Sequence, residues 1–503
     1  MDWLYRANHG KVALMVTRYV SGPQLARLLG DVPRERPVYG ALARSVRALV
    51  LDGRLALRTR LPAERDLASA LGVSRTTVTA AYDLLREEGY VESRQGAGTW
   101  TALPPVRMSM TEPRGGPPTG GRFGRAYPAP DDPEFIDLGC ATPGAPAAFG
   151  EAVAAAVAEL PRYSTGPGYE PAGLACLREE IAAGYAARGI PTRPDQIVVT
   201  TGAQHAFTLL VHTLVEPGDA VLVERPTYPH ALGALRRRGA RLVTAGVNEG
   251  WDLELIAGTM RQAAVRMAYT IPDFQNPTGF LMSGADRAAL VDAARGADAF
   301  AVTDETFAEL AHDPDAPAEP LLASYDTGGR VISVGSASKL FWGGLRIGWI
   351  RTTAPLARRL VLAREPFDMA SPVLDQLIVA ELLRRVAEVR EERAAALLAS
   401  RDALAAALRE RLPGWAFRLP DGGMSLWARI GAPVATRLAE AAERHGVRVV
   451  PGPVFAADGV LEDYVRLPYV LPPDALRTAV ERLAAAFREV EAAPAARPLP
   501  AYV

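Results

Sequence analysis

Residues 335–348 read Gly-Ser-Ala-Ser-Lys-Leu-Phe-Trp-Gly-Gly-Leu-Arg-Ile-Gly, and they carry one of the two lysines in a chain of 503 residues. Of 56 basic residues only Lys11 and Lys339 are lysine; the rest are arginine, in a chain also rich in Ala and Gly. Arginine stays protonated, whereas a lysine amine can lose its proton and form a Schiff base. Lys11 lies near the start of the sequence. Lys339 lies between a strand pattern and a glycine-rich turn, which makes it the first catalytic candidate.

Outward from that run, short apolar stretches alternate with helical patterns. Ile197–Thr200, Ala220–Val223, Arg241–Ala245, Met267–Thr270, Ala299–Thr303 and Val331–Val334 read as buried strands, with helices such as Gln204–Val215 and Gly284–Ala294 between them. Repeated alternation predicts an α/β fold with a mainly parallel sheet covered on both faces. From about residue 355 the pattern is mostly helical, with a long charged stretch over Ser371–Arg411. A small α+β portion follows around Trp415–Arg418, Met424–Ile430 and Tyr464–Tyr469.

Several segments of this region carry candidate chemistry. Thr201-Gly202-Ala203-Gln204 follows a strand and opens a helix, where free N–H groups favour a phosphate. Tyr228 follows the next strand, at the edge where ligands bind in open α/β sheets. Asn276-Pro-Thr-Gly279 is a turn. Asp304 follows a strand in an apolar context; it suits a pyridinium nitrogen or, alternatively, a helix N-cap. Ser336, Ser338, Lys339 and Arg346 put hydroxyls, an amine and a fixed cation in one strand–turn segment. Arg466 can hold a carboxylate bidentately.

Residues 101–134 hold eight prolines and five glycines without periodicity, which predicts a linker. Before it, Val38–Asp52 reads as a helix stopped at Gly53, and Pro23–Leu29 as a short one. Ala63–Leu71, a turn at Gly72-Val73, and a helix from its N-cap Ser74 to Glu88 have helix–turn–helix spacing. Tyr90–Glu92 and Thr99–Thr101 around Gly96 read as a hairpin wing, with Gln95 and Gly96 placed to approach DNA. Ser74-Arg75-Thr76-Thr77 opens the second helix of the pair, the position that enters a major groove. Residues 1–130 carry a net charge of +8 and the remainder −9, so the basic end suits an anion such as nucleic acid.

The composition, 49% apolar and 22% charged, excludes a globally disordered chain. Cys140 and Cys176 cannot build a disulfide framework or a four-cysteine zinc site. Apolar stretches such as Val12–Val16 are too short to span a bilayer, and the start of the sequence does not read as a signal peptide. The expectation is a cytosolic protein with no membrane segment.

Leu61-Pro-Ala-Glu-Arg-Asp-Leu-Ala-Ser-Ala-Leu-Gly-Val-Ser-Arg-Thr-Thr-Val78, with Leu85-Arg-Glu-Glu-Gly-Tyr90 and Gly96-Ala-Gly98, resembles the winged-helix domain of GntR-type bacterial regulators. The resemblance covers residues 37–101 and implies operator DNA binding as a dimer, with Arg65, Ser74, Arg75, Thr77 and Gly96 as contacts. Residues 135–490 resemble the fold-type I aminotransferases, through Asn276-Pro-Thr-Gly279 and Ser336-Ala-Ser-Lys339-(six residues)-Arg346-Ile-Gly348. That resemblance implies pyridoxal 5′-phosphate as cofactor. By position, Lys339 forms the internal aldimine, Asp304 pairs with the pyridine nitrogen, Asn276 bonds the ring hydroxyl and Tyr228 stacks on the ring. Ala203, Gln204, Ser336, Ser338 and Arg346 bind the phosphate; Tyr169 reaches the phosphate of a partner subunit; Arg466 binds an amino acid α-carboxylate. One departure stands out. The family places a tyrosine two or three residues after the aspartate, and here Thr306 and Phe307 stand there.

A winged helix (37–101), a Pro/Gly-rich linker (102–134) and an aminotransferase-like domain (135–490) together resemble the MocR subfamily of GntR regulators. The resemblance implies a homodimeric, PLP-dependent transcriptional regulator that binds operator DNA and senses an amino acid, an amine or PLP itself. The alternative is a working aminotransferase with an accessory DNA-binding module, and the missing tyrosine and the DNA module weigh against it.

Overall fold

The computed structural model describes residues 18–30, 37–51, 55, 59–94, 98–102, 134–247, 250–316 and 318–492. The chain divides into two compact units, Met1–Thr119 and Gly120–Val503. Lys11, Gly53, Gln95, Gly96 and residues 103–133, all singled out in the sequence, lie outside the described residues.

The first unit contains β1 (Arg18–Tyr19), α1 (Gly22–Leu29), α2 (Val38–Leu51), β2 (Thr59–Arg60), α3 (Glu64–Leu71), α4 (Arg75–Glu87), β3 (Val91–Arg94) and β4 (Gly98–Thr101). Leu25, Val46, Leu67, Val78, Tyr82 and Leu85 fill its core. Each is apolar at helical spacing, and full burial of a side chain of this size contributes about 1.5–3 kcal/mol. α3 ends at Gly72 with φ +66°, and Ser74 then caps α4 by accepting a hydrogen bond from the Thr77 amide. The hairpin β3–β4 forms the wing, and its sheet runs β1-β2-β4-β3. α1 carries a capping box, Ser21 with Gln24. It packs so closely on α3 that a Cβ on Gly22 would lie 2.7 Å from the Asp66 carbonyl oxygen.

The second unit opens with β5 (Ile136–Asp137), α5 (Phe149–Glu159) and α6 (Ala175–Ala187). Then come β6 (Ile197–Thr200), α7 (Ala203–Leu214), β7 (Ala220–Arg225), α8 (Pro229–Arg238), β8 (Arg241–Gly246), α9 (Leu253–Gln262), β9 (Val265–Thr270), α10 (Gly284–Gly296), β10 (Phe300–Asp304) and β11 (Val331–Ser336). The short α11 (Ala337–Leu340) leads to β12 (Gly348–Arg351). The sheet runs β6-β12-β11-β10-β9-β7-β8. β12 is antiparallel to both β11 and β6, and the other pairs are parallel. β6 is buried along its whole length and β7 nearly so, as continuous apolar runs in a doubly covered sheet should be.

Helix α12 (Ala354–Arg364) follows, and the predicted long stretch 371–411 is two helices, α13 (Val373–Arg384) and α14 (Val386–Arg411). The break falls at Arg385, whose φ −109° and ψ 20° leave the helical region. The small α+β part holds β13 (Ala416–Phe417), β14 (Ser425–Arg429), α15 (Ala435–Arg444), β15 (Val447–Arg448), β16 (Val450–Pro451), β17 (Tyr464–Pro468) and α16 (Pro473–Ala492). Its sheet runs β13-β14-β17-β16. Among the described residues no helix is long and apolar enough to cross a membrane.

Candidate functional site

The strand directions place the candidate residues on one edge. Thr201–Gln204, Tyr228, Asn276, Asp304 and Lys339 lie at or just after the C-terminal ends of the parallel strands β6, β7, β9, β10 and β11. β12 runs the other way, so Arg346 just before it meets the same edge. This is where open α/β sheets bind ligands.

One end of the site is rich in donors. A Cβ on Gly202 would lie 2.6 Å from Arg346 Nη2, and one on Gly348 would lie 2.7 Å from the Ala203 amide nitrogen. Glycine at both positions lets the guanidinium close against the first turn of α7. Arg346 Nη2 donates to the Thr201 carbonyl at 3.4 Å. Ser336 Oγ accepts from the Ser338 amide at 3.1 Å and donates to the Ile347 carbonyl. Gln204 Nε2 reaches the His230 carbonyl at 3.5 Å, and its Oε1 is buried with no hydrogen-bond partner among the described residues. Helix-start amides, two serine hydroxyls and a guanidinium fit a phosphate dianion.

Residues absent from the sequence reading hold this turn. Thr201 Oγ1 donates to Asp368 Oδ2 at 2.7 Å. The fully buried Arg364 grips the same carboxylate through Nε at 2.6 Å and Nη2 at 2.9 Å. Burial opposes ionisation of Asp368, but Arg364, Thr201 and His205 outweigh it and hold its carboxyl below the usual range.

At the other end Asp304 is the last residue of β10. The Tyr269 hydroxyl donates to its Oδ2 at 2.7 Å and the Thr306 amide to its Oδ1 at 3.0 Å. Burial pushes the Asp304 carboxyl up, while Tyr269, Thr306 and the Lys339 charge draw it down. A turn rather than a helix follows, so the alternative reading of Asp304 as a helix N-cap does not hold. Phe307, where the family has a phenol, is buried with its ring centre 5.9 Å from Lys339 Nζ. Asn276 is buried, in a turn that includes the cis peptide Asn276–Pro277. The adjacent Gln275 donates to Glu224 Oε2 at 2.9 Å and to the Pro226 carbonyl at 2.7 Å, tying this turn to the Tyr228 loop. Glu224 also accepts from Trp251 Nε1 and the Ile271 amide, and burial pushes its carboxyl up to about 7.

Between these ends, Lys339 Nζ donates to the Ala141 carbonyl at 2.8 Å and to Thr142 Oγ1 at 3.1 Å. Burial pushes this amine down to about 8; Arg466 and Arg346 add to the shift, and Cys140 and Asp304 oppose it. Arg466, in mid-β17, is buried and bonded through Nη2 to the Gly139 carbonyl. Its Nε is buried with no partner among the described residues, and burial lowers the guanidinium to about 10. Tyr228 is half-buried and its hydroxyl lies 3.2 Å from His230 Nδ1. Tyr169 is 62% exposed.

In the first unit Arg65, Ser74 and Arg75 are exposed and Thr77 is half-buried. The Ser74 hydroxyl is engaged as the cap of α4 and lies 2.7–2.8 Å from the hydroxyls of Thr76 and Thr77. Arg75 is tied to Glu64 Oε2 at 3.3 Å, and Thr79 donates to the same oxygen at 3.0 Å. A groove of about 770 Å³ runs past Tyr19, Arg60, Arg65, Arg75 and Thr99.

Known proteins share both units. The family of aminotransferases class I and II matches residues 150–483, and the chain belongs to it. The bacterial regulatory proteins of the gntR family match residues 38–100. The probable rhizopine catabolism regulatory protein MocR of Rhizobium meliloti is 35% identical over 65% of this chain and 67% of its own length. The uncharacterized HTH-type transcriptional regulator YdcR of Escherichia coli (strain K12) is 30% identical over 83% of this chain and 92% of its own. Among solved structures, Pyrococcus horikoshii kynurenine aminotransferase in complex with PMP has a TM-score of 0.66 and 28% identity, covering 72% of this chain and 92% of that one. The chain thus has the organisation of the MocR-type regulators, a GntR DNA-binding unit joined to a fold-type I aminotransferase-like unit, and the cofactor of that fold is pyridoxal phosphate.

Proposed function

We propose that this chain acts as a cytoplasmic, homodimeric, PLP-dependent repressor or activator whose aminotransferase-like domain senses an amino acid, an amine or PLP itself through Schiff-base chemistry at Lys339. The domains are residues 37–101 for DNA binding, 102–134 for the linker and 135–490 for the cofactor. The observation that carries the sensing role is a complete site, from phosphate donors through Lys339 to Asp304, in one chain with a DNA-binding domain.

When bound, the cofactor supplies a carbonyl carbon for an amine and an electron-withdrawing ring. The chain's own residues do the rest. Ala203, Gln204, Ser336, Ser338 and Arg346 would hold the phosphate. Tyr228 would stack on the ring, Asn276 would bond its hydroxyl, and Asp304, oriented by Tyr269, would pair with its nitrogen. Burial leaves a larger neutral fraction of the Lys339 amine, the form that attacks a carbonyl. Arg466 offers its free Nε to a ligand carboxylate. Tyr169 serves the site of the partner subunit in the dimer. On DNA, Arg65, Ser74, Arg75, Thr77 and Gly96 make the contacts.

The same complete site supports a second reading, a working aminotransferase. Phe307 weighs against efficient turnover, because no phenol stands beside the ring oxygen at that position. The test is binding of DNA selected by the protein from a random pool, with and without PLP and a panel of amino acids and amines. Lys339→Ala should fold and bind this DNA but lose every ligand response. A response that survives in this variant refutes the proposal.

A further inference from the structure

Residues 134–147 begin the described part of the second unit, directly after the Pro/Gly-rich segment that leads from the first. Only the start of this strap is held by a backbone ladder. Ile136 and Asp137 pair with Val447 and Arg448, and the Leu138 amide donates to the Arg448 carbonyl at 2.9 Å. Beyond Leu138 basic side chains take over. Arg466 Nη2 bonds the Gly139 carbonyl, Lys339 Nζ bonds the Ala141 carbonyl and Thr142 Oγ1, and Arg393 Nη2 bonds the Gly144 carbonyl. Arg393 also bonds the carbonyls of Leu340 and Phe341, next to Lys339, so that end is fixed to the site itself. Thr142 is nested on the turn after Lys339: a Cβ on Gly343 would lie 2.7 Å from its Cγ2.

Two of these pins are shared. Lys339 and Arg466 are the groups that the proposed reading gives to the cofactor and to the ligand carboxylate, and this inference rests on that reading. A lysine nitrogen bonded to a carbonyl carbon cannot keep both of its hydrogen bonds to the strap. A charge-assisted bond from Arg466 to a carboxylate outcompetes its bond to the neutral Gly139 carbonyl. We propose that residues 139–142 are a latch held by Lys339 and Arg466 and released when those two groups are occupied. Release passes the state of the site to the segment leading to the DNA-binding unit. Arg448 and Arg393 hold the strap on either side, so release loosens it without detaching it, and the loosening reaches the upstream segment through the Leu138 amide and its bond to the Arg448 carbonyl. Its effect on DNA binding is limited to the difference in affinity that the ligand shows for latched and released strap.

Hydrogen exchange of residues 135–147 in the full chain tests the latch. Lys339→Met, freed of cofactor, should exchange the Leu138 and Gly139 amides about tenfold faster than the cofactor-free parent. Adding PLP to the parent should reproduce the rise, and adding it to Lys339→Met should change nothing. Thr142→Val, which removes one of the two bonds to the amine, should give a smaller rise. Unchanged exchange in both variants overturns the latch. If the visible spectrum still shows PLP on the parent, the reading of the site survives that failure.

Discussion

The Tyr269 hydroxyl donates a 2.7 Å hydrogen bond to Oδ2 of Asp304, a carboxylate buried at the end of the neighbouring strand. Tyr269 stands opposite Val302 in the β9–β10 register, two residues before Asp304 and so on the same face of the sheet. Its ring packs against Phe207 at 4.6 Å, so the phenol has little room to move. Tyr269→Phe keeps that packing and removes one bond to a charged group, a loss of about 1.5–3 kcal/mol. PLP affinity, followed by absorbance titration, should fall about tenfold or more. Unchanged affinity would separate Tyr269 from the pairing of Asp304 with the cofactor.

The lowered amine of Lys339 sets a pH dependence. Its value of about 8 when folded lies below the usual 10.5, so the charged form is disfavoured in the fold. The cost to stability is fully present below about pH 8 and disappears as pH rises towards 10.5. The neutral amine captures carbonyls, so the rate of PLP capture should climb from pH 6.5 and level off just above about 8. Stopped-flow absorbance across that range checks it. A rate still climbing steeply beyond pH 10 would contradict the enclosed amine.

Glu305, buried behind β10, accepts the Tyr185 hydroxyl at 2.7 Å, and burial pushes it up to about 7 from 4.5. The folded state binds its proton more tightly, so this stability is present below pH 4.5 and lost as pH rises through 7. Glu305→Gln mimics the protonated form. It should lie within about 1 kcal/mol of the parent at pH 5 and exceed it by about 3 kcal/mol at pH 8. Urea unfolding at both values checks this, and equal destabilisation at both would refute it.

Arg75 and Glu64 give the DNA-binding unit an internal competitor. Arg75→Ala should abolish sequence-selective binding without changing PLP uptake. Glu64→Gln frees Arg75, so affinity for any duplex should rise, and if Arg75 gains a phosphate the slope of log K against log salt should steepen by about 0.9. Fluorescence anisotropy at several salt concentrations measures both. Selective binding by Arg75→Ala would remove that residue from the interface.

Most of the architecture was readable in the sequence, because a doubly covered sheet writes its strands as apolar runs and the helix–turn–helix carries its own cap and glycine. β12 was not: four residues, Gly-Trp-Ile-Arg, are too short to show a period. Nor was the break at Arg385, which no proline or glycine marks. Residues with distinctive local chemistry, such as Lys339 and Asp304, stood out. Tyr269, Glu224, Arg364 and Thr142 did not, since each depends on partners distant in sequence: Asp304 lies 35 residues from Tyr269, and Lys339 lies 197 from Thr142. A tyrosine in an apolar strand reads as core until its neighbour strand is known.

The central claim is that Lys339 serves a sensor rather than a turnover enzyme. The visible absorption spectrum of the PLP-loaded chain, recorded against a panel of amino acids and amines, tests it most directly. The account predicts that no keto acid is released, with a lasting spectral shift for a subset of compounds if the signal is an amino acid or amine and no shift if it is PLP itself. Rapid, complete conversion to the pyridoxamine form with stoichiometric keto acid would contradict it.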